Sequence, residues 1–159
     1  MRCSQVVTAD SPRTLVDQYT AVVRGEMAPE DMAGWLSNAY HSVDEYLRRV
    51  HVSPNGPPFA RYAFLQGVVA VEAGFPVPCE IARQGAVEPS TLPDGPAAVT
   101  THFGRYEDLT MAYEAVHRWL DDHGLVPAGP HWEIYYTDPV AEPDPSRWRT
   151  DVVVPYRLA

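Results

Sequence analysis

Shifting this sequence along itself by 73 positions lays a helix, its stop and the next strand onto a second copy. Gly56 falls on Gly129, Pro57 on Pro130, Phe59 on Trp132 and Tyr62 on Tyr135. Upstream, Leu36 falls on Leu109, Tyr40 on Tyr113, Val43 on Val116, Tyr46 on Trp119 and Leu47 on Leu120. Apolar matches arise by chance between any two amphipathic helices. A Gly-Pro pair in the same frame does not follow from helical periodicity, so it favours a duplication. Each half is too small to bury both faces of a sheet and a helix alone. The expectation is one antiparallel sheet with two helices and a groove on the dyad between the halves, where a ligand site is the default.

The elements read β-β-α-β-β, given twice. Residues 4–9 and 15–23 read as strands, with a turn at Asp10-Ser11-Pro12 and Gly25 ending the second strand. Pro29 opens a helix that runs to about His51, and Glu30 and Asp31 suit the positive end of its dipole. Residues 59–65 and 67–75 read as a hairpin. Residues 87–92 form a strand, and the turn Pro93-Asp94-Gly95-Pro96 leads to its partner at 97–103. A second helix starts near Tyr106 and stops at Gly124. Strands follow at 131–137 and 148–157. The fold class is therefore α+β, with tandem pseudo-symmetric β-β-α-β-β halves. The whole chain, 1–159, reads as a single domain with halves 1–80 and 81–159.

Where the halves agree they define a framework, and where they differ they mark chemistry. Glu133 stands among Trp132, Tyr135 and Tyr136, and its partner in the first half is Ala60. A carboxylate in so apolar a strand is costly unless something pairs with it. Strand alternation puts Glu133, Tyr135 and Thr137 on one face and Trp132, Ile134 and Tyr136 on the other. Glu133 would attract a cation, with Tyr135 stacking beside it. Tyr62 is the matching wall from the first half, and Trp35 lies off the main helical stripe, toward the groove. The bland alternative makes Glu133 a structural carboxylate that pairs with an arginine or caps backbone N–H groups. It makes Tyr62 and Trp35 core residues. Tyr40 and Tyr113 lie on the core stripes and read as structural.

The formal charge of −9 argues against direct nucleic-acid binding, which needs a basic face. It suits cationic small molecules better than anionic ones. Cys3 and Cys79 are the only cysteines and read as free thiols. No apolar run reaches membrane-spanning length, and no signal-peptide core follows Met1, so a cytoplasmic protein is expected. His117 and His123 are six apart on a helix and do not face one metal. No zinc, serine-hydrolase or phosphate-loop motif occurs, so no metal and no cofactor are expected.

His102-Phe103-Gly104-Arg105-Tyr106, followed by Leu109, Tyr113, Trp119-Leu120 and Gly124, resembles the GyrI-like family. So does Gly129-Pro130-His131-Trp132-Glu133-Ile134-Tyr135 followed by Asp138-Pro139. Related domains are the effector-binding parts of AraC- and MerR-type regulators. The resemblance implies a pseudo-dimeric pair of units of the strand-helix-strand-strand type, and a cleft for lipophilic, cationic or aromatic compounds with a central acid, which by motif is Glu133, with Tyr135 beside it. His102 and Tyr106 belong to the family-like corner, where Tyr106 either bonds a ligand or staples the helix start. The first strand begins near residue 4, which implies a stand-alone member without a DNA-binding domain. The expected function is binding of hydrophobic cations or aromatics, as a multidrug-type sponge or sensor. The alternative is hydrolysis of cyclopropane-bearing DNA-alkylating compounds, a reaction in which some stand-alone members are implicated. There Glu133 would activate water and Tyr135 or Tyr106 would bond the oxyanion. The family takes its name from a gyrase inhibitor, but no sequence feature here marks a protein partner.

Overall fold

The computed structural model describes residues 5–6 and 12–159. Cys3, most of the expected first strand and the first two residues of the turn at 10–12 lie outside the described residues. The described strands are β1 (Gln5–Val6), β2 (Pro12–Leu15), β3 (Gln18–Met27), β4 (Phe59–Phe64), β5 (Val69–Val77), β6 (Glu88–Leu92), β7 (Gly95–Phe103), β8 (Leu125–Pro127), β9 (Trp132–Tyr135) and β10 (Arg149–Leu158). The helices are α1 (Met32–Arg49) and α2 (Leu109–Asp122). The fold is α+β and antiparallel. The chain forms two compact units, Val16–Asp94 and Gly95–Ala159, the latter joined by β1 and β2. Among the described residues no helix is long and apolar enough to cross a membrane.

In the unit Val16–Asp94, β3 pairs with both β6 and β5, and β5 pairs with β4, all antiparallel. Helix α1 buries Ala39, Val43, Tyr46 and Leu47. Val43, Tyr46 and Leu47 form a core with Ala21, Val77, Ile81 and Val87. The other unit repeats the order. β7 pairs with β10, and β10 with β9, again antiparallel. Helix α2 buries Leu109, Ala112, Val116 and Leu120 over Ala98, Val152 and Val154. Each unit is thus strand, helix, strand, strand, with the last strand in the middle. An extra strand borders the first one: β6 on β3 in one unit and β2 on β7 in the other.

The repeat holds at the buried positions, since Ala39, Val43 and Leu47 match Ala112, Val116 and Leu120. The helix entrances match as well. Pro29–Asp31 and Tyr106–Asp108 are both 3-10 turns, and the residues before them, Ala28 and Arg105, share backbone angles of −67°, 148° and −68°, 151°. Both turns place Glu-Asp at the positive helix end. These entrances are 77 positions apart rather than 73. The difference is the extra length of α1, which has 18 residues against 14 in α2. Four residues are about one helical turn, so the same face meets the sheet in both units.

Several expected elements shift. The strand expected to stop at Gly25 continues to Met27, because its pairing runs on through Gly25↔Val71 and Met27↔Val69. Gly25 does not break the strand. It makes room for the Trp35 indole, which lies 2.8 Å from where a Cβ would sit. Residues 87–92 and 97–103 are not hairpin partners: β6 pairs with β3, and β7 with β10 and β2. The strand expected over 131–137 is the shorter β9. Its end is explained by Thr137, whose Oγ1 accepts the Arg149 N–H at 3.0 Å in place of a backbone carbonyl. The sequence reading missed β8, which follows Gly124 and pairs with the end of β10.

Candidate functional site

Strand β9 is only four residues long, and its register decides what Glu133 meets. Glu133 pairs with Val152 and Tyr135 with Thr150. Cross-strand partners share a sheet face, so Glu133 and Tyr135 lie on the face with Val152 and Val154. That is the face that α2 covers. Glu133 is consequently 7% exposed, a carboxylate buried between sheet and helix.

A buried carboxylate needs hydrogen-bond donors. Two phenols supply them. Tyr135 donates to Oε1 at 2.7 Å, and Tyr113, from the middle of α2, donates to Oε2. A phenol donor requires an acceptor oxygen, so the pair favours the ionised carboxylate. On its helical stripe Tyr113 reads as a core tyrosine, and the structure adds its hydrogen bond to Glu133. Its match in the first half, Tyr40, donates to the Phe59 carbonyl at 2.9 Å. Both helix tyrosines therefore reach to the strand below, and only the second finds a carboxylate there. The paired signals, tyrosine in both helices and an acid in only one strand, were present in the sequence.

An aromatic wall continues from this pair. Tyr106 meets Tyr135 edge-on, with centroids 5.9 Å apart, and stacks on Trp148 at 5.3 Å. Trp148 is fixed by its indole N–H, which donates to the Glu142 carbonyl at 2.7 Å. Burial raises the Tyr106 phenol above its ordinary value, and the nearby negative charges of Asp138 and Glu133 add to the rise. Tyr106 therefore stays a neutral donor at physiological pH. Tyr113 packs edge-on against His131 at 4.9 Å. The sequence reading named neither Trp148 nor His131 as a site residue. Trp148 closes a proline-rich loop, and nothing in its spacing announces the stack.

Burial lowers the His131 imidazole below the ordinary histidine value of about 6.5, and the neighbouring His117 lowers it further. The neutral form is thus favoured in the fold. Below pH 6.5 the unfolded chain binds this proton before the folded one, so stability falls as the pH drops through that window. Thermal melts from pH 7.5 to 5 should show the loss, and His131→Asn should flatten that part of the profile. An unchanged profile would remove His131 as its source.

His102, Tyr62 and Trp35 are the other expected residues. His102 lies fully buried on β7, opposite Thr150, and its Nε2 bonds the Arg105 carbonyl at 2.9 Å. Arg105 directly precedes the turn that carries Tyr106, so His102 ties the strand to that corner. The Gly104 N–H ties it a second time, donating to the Trp148 carbonyl at 2.9 Å. Tyr62 and Trp35 belong to the unit Val16–Asp94. Tyr62 is buried on β4 opposite Val71, and the Trp35 indole rests on the β3 backbone at Gly25. Glu133, Tyr135 and Tyr106 are brought together directly, with Tyr113 as the added member.

The Glu133 clasp has a measurable consequence. Tyr113→Phe removes a charge-assisted hydrogen bond while leaving the ring against His131. Such bonds contribute about 1.5–3 kcal/mol. Urea unfolding should register a loss of that size, and a loss below about 0.5 kcal/mol would mean that Tyr113 does not hold the acid.

Solved structures share this fold. The chain aligns with the C-terminal domain of EcmrR at a TM-score of 0.82 and 15% identity, covering 98% of this chain and 99% of that one. Against EcmrR in its DNA complex the TM-score is 0.78 at 17% identity, and the chain spans 59% of that regulator. SAV2435, solved bound to tetraphenylphosphonium, aligns at a TM-score of 0.66 and 14% identity, covering 92% of this chain and 93% of that one. A hydrolase from Listeria innocua aligns at 0.64 and 13% identity, covering 92% and 91%. No curated protein matches the chain in sequence. The family model for the GyrI-like small molecule binding domain matches residues 14–157, and with the two strand-helix-strand-strand units described above it shows that this chain belongs to the GyrI-like family.

Proposed function

We propose that this chain binds hydrophobic cationic or aromatic small molecules, with Glu133 as the counter-charge. The observation that carries this reading is a buried carboxylate held by Tyr113 and Tyr135 and bordered by Tyr106 and Trp148. A low-dielectric setting strengthens attraction for a cation. Aromatic faces add about 0.5–2 kcal/mol per cation–π contact without demanding one ligand shape. The formal charge of −9 raises the local concentration of cations. The likeness to a protein solved with tetraphenylphosphonium supplies a probe. Both carboxylate oxygens accept a phenol hydrogen, which suits a fixed charge better than a base that must reach for a proton. A sponge and a sensor use the same binding step.

The test is calorimetric titration with tetraphenylphosphonium and with uncharged triphenylphosphine oxide. Saturable binding of the cation, at least about tenfold tighter than the neutral compound, is expected. Equal affinity for the two would overturn a charge-selective site.

A further inference from the structure

Three polar atoms on the helix-covered face of the Gly95–Ala159 unit have no hydrogen-bond partner among the described residues: Thr100 Oγ1, His102 Nδ1 and Thr150 Oγ1. All three residues are 0% exposed. The register gathers them. His102 pairs with Thr150, and Thr100 with Val152, so the three side chains share the face of Glu133 and Tyr135. Directly opposed residues have Cβ atoms about 4.5–5.5 Å apart, and diagonal neighbours about 7–8 Å. The three groups therefore outline a small triangle on adjacent strands.

The chemistry of the ring fixes what that triangle needs. The Arg105 carbonyl only accepts, so His102 Nε2 carries the hydrogen, and in the neutral ring Nδ1 is then a lone pair that needs a donor. Each threonine hydroxyl needs a partner as well. A buried polar atom without one costs about 1–3 kcal/mol. A single water supplies two donors and two acceptors, and buried waters typically make about three bonds to such groups. Full burial of all three side chains favours an occupant of that size.

We propose that Thr100, His102 and Thr150 form an internal water site beside Tyr135 and Glu133 on the same sheet face. The water donates to His102 Nδ1 and bonds the two threonine hydroxyls. It completes the bonding of His102, whose other nitrogen anchors the corner that sets Tyr106 against Tyr135 and Trp148. This inference does not depend on which ligand the protein takes.

A high-resolution crystal structure of the wild-type protein tests it directly. One ordered water is expected about 2.6–3.2 Å from His102 Nδ1 and from at least one threonine Oγ1. A threonine hydroxyl bonded straight to Nδ1, or no ordered water there, would overturn the site. Nitrogen NMR gives an independent reading in solution. The wild type should show the Nε2-protonated ring, with Nδ1 at the shift of a hydrogen-bonded acceptor. In Thr150→Val that resonance should move toward the value of an unbonded ring nitrogen, while Thr150→Ser should leave it near wild type. An unmoved Nδ1 resonance in folded Thr150→Val counts against the proposal, and the crystallographic test stands should that variant fail to fold.

Discussion

Glu133→Gln is expected to weaken tetraphenylphosphonium binding by about 30- to 150-fold and to change triphenylphosphine oxide binding by no more than about twofold. The estimate comes from Coulomb's law. A cation about 6 Å from a carboxylate, at an effective dielectric constant of about 20, gains about 2–3 kcal/mol. Glutamine keeps the size of the side chain and one acceptor oxygen, but it removes the charge and presents an amide N–H₂ to one of the two phenols. Stability therefore drops as well, and the affinities must be measured well below the melting temperature of the variant. The uncharged compound separates the two causes. If both ligands weaken equally, the substitution has disturbed the aromatic wall and not the charge. If neither weakens, Glu133 is a structural carboxylate and the ligand lies elsewhere.

The largest effect on stability belongs to a glycine of the Val16–Asp94 unit. Gly74 lies on β5 opposite Val22 of β3 and Phe59 of β4, in the middle of the Val16–Asp94 sheet. A Cβ at Gly74 would fall 1.8 Å from the Ala21 carbonyl oxygen and 2.9 Å from the Val22 Cα. Both are backbone atoms in a paired strand, and they cannot swing aside as a side chain does. Gly74→Ala should cost about 3 kcal/mol or more, at the upper end of overpacking effects. For a chain of this size that is a fall of about 6–12 °C in Tm. Gly34 is the natural control, because it lies in a helix with nothing within 4 Å of an added Cβ. There alanine should raise stability by up to about 1 kcal/mol through helix propensity. Calorimetric melts of the two variants check both signs, and a Gly74→Ala protein that melts with the wild type would show that β3 and β5 are not in this register.

These expectations show what can be read from a chain and what cannot. The repeat was legible because helix faces and helix stops leave periodic signals: Val43 and Val116, Leu47 and Leu120, Gly56 and Gly129. Glu133 stood out because Ala60 occupied its place in the other half. Tyr113 did not stand out, because its spacing is that of a core residue, and spacing does not say which atom its hydroxyl will reach. Trp148 was hidden for a similar reason, and so was the partner that β10 sets opposite His102. One owes its place to the end of a loop, the other to a register between strands that are far apart in sequence. The end of β3 was misplaced because a glycine reads as a stop when taken alone. Only the Trp35 indole lying on Gly25 shows that it serves a close approach.

The sequence by itself determined the α+β class, the two repeated halves and the singular position of Glu133. Each follows from local rules: hydrophobic period, turn chemistry and the comparison of one half with the other. The tertiary structure decided which donors hold that carboxylate and which rings border it. It also decided which buried polar atoms are left to find a partner. Those outcomes depend on the pairing of β7, β9 and β10 and on where α2 lies across them. Such pairings join residues dozens of positions apart, and no local pattern encodes them.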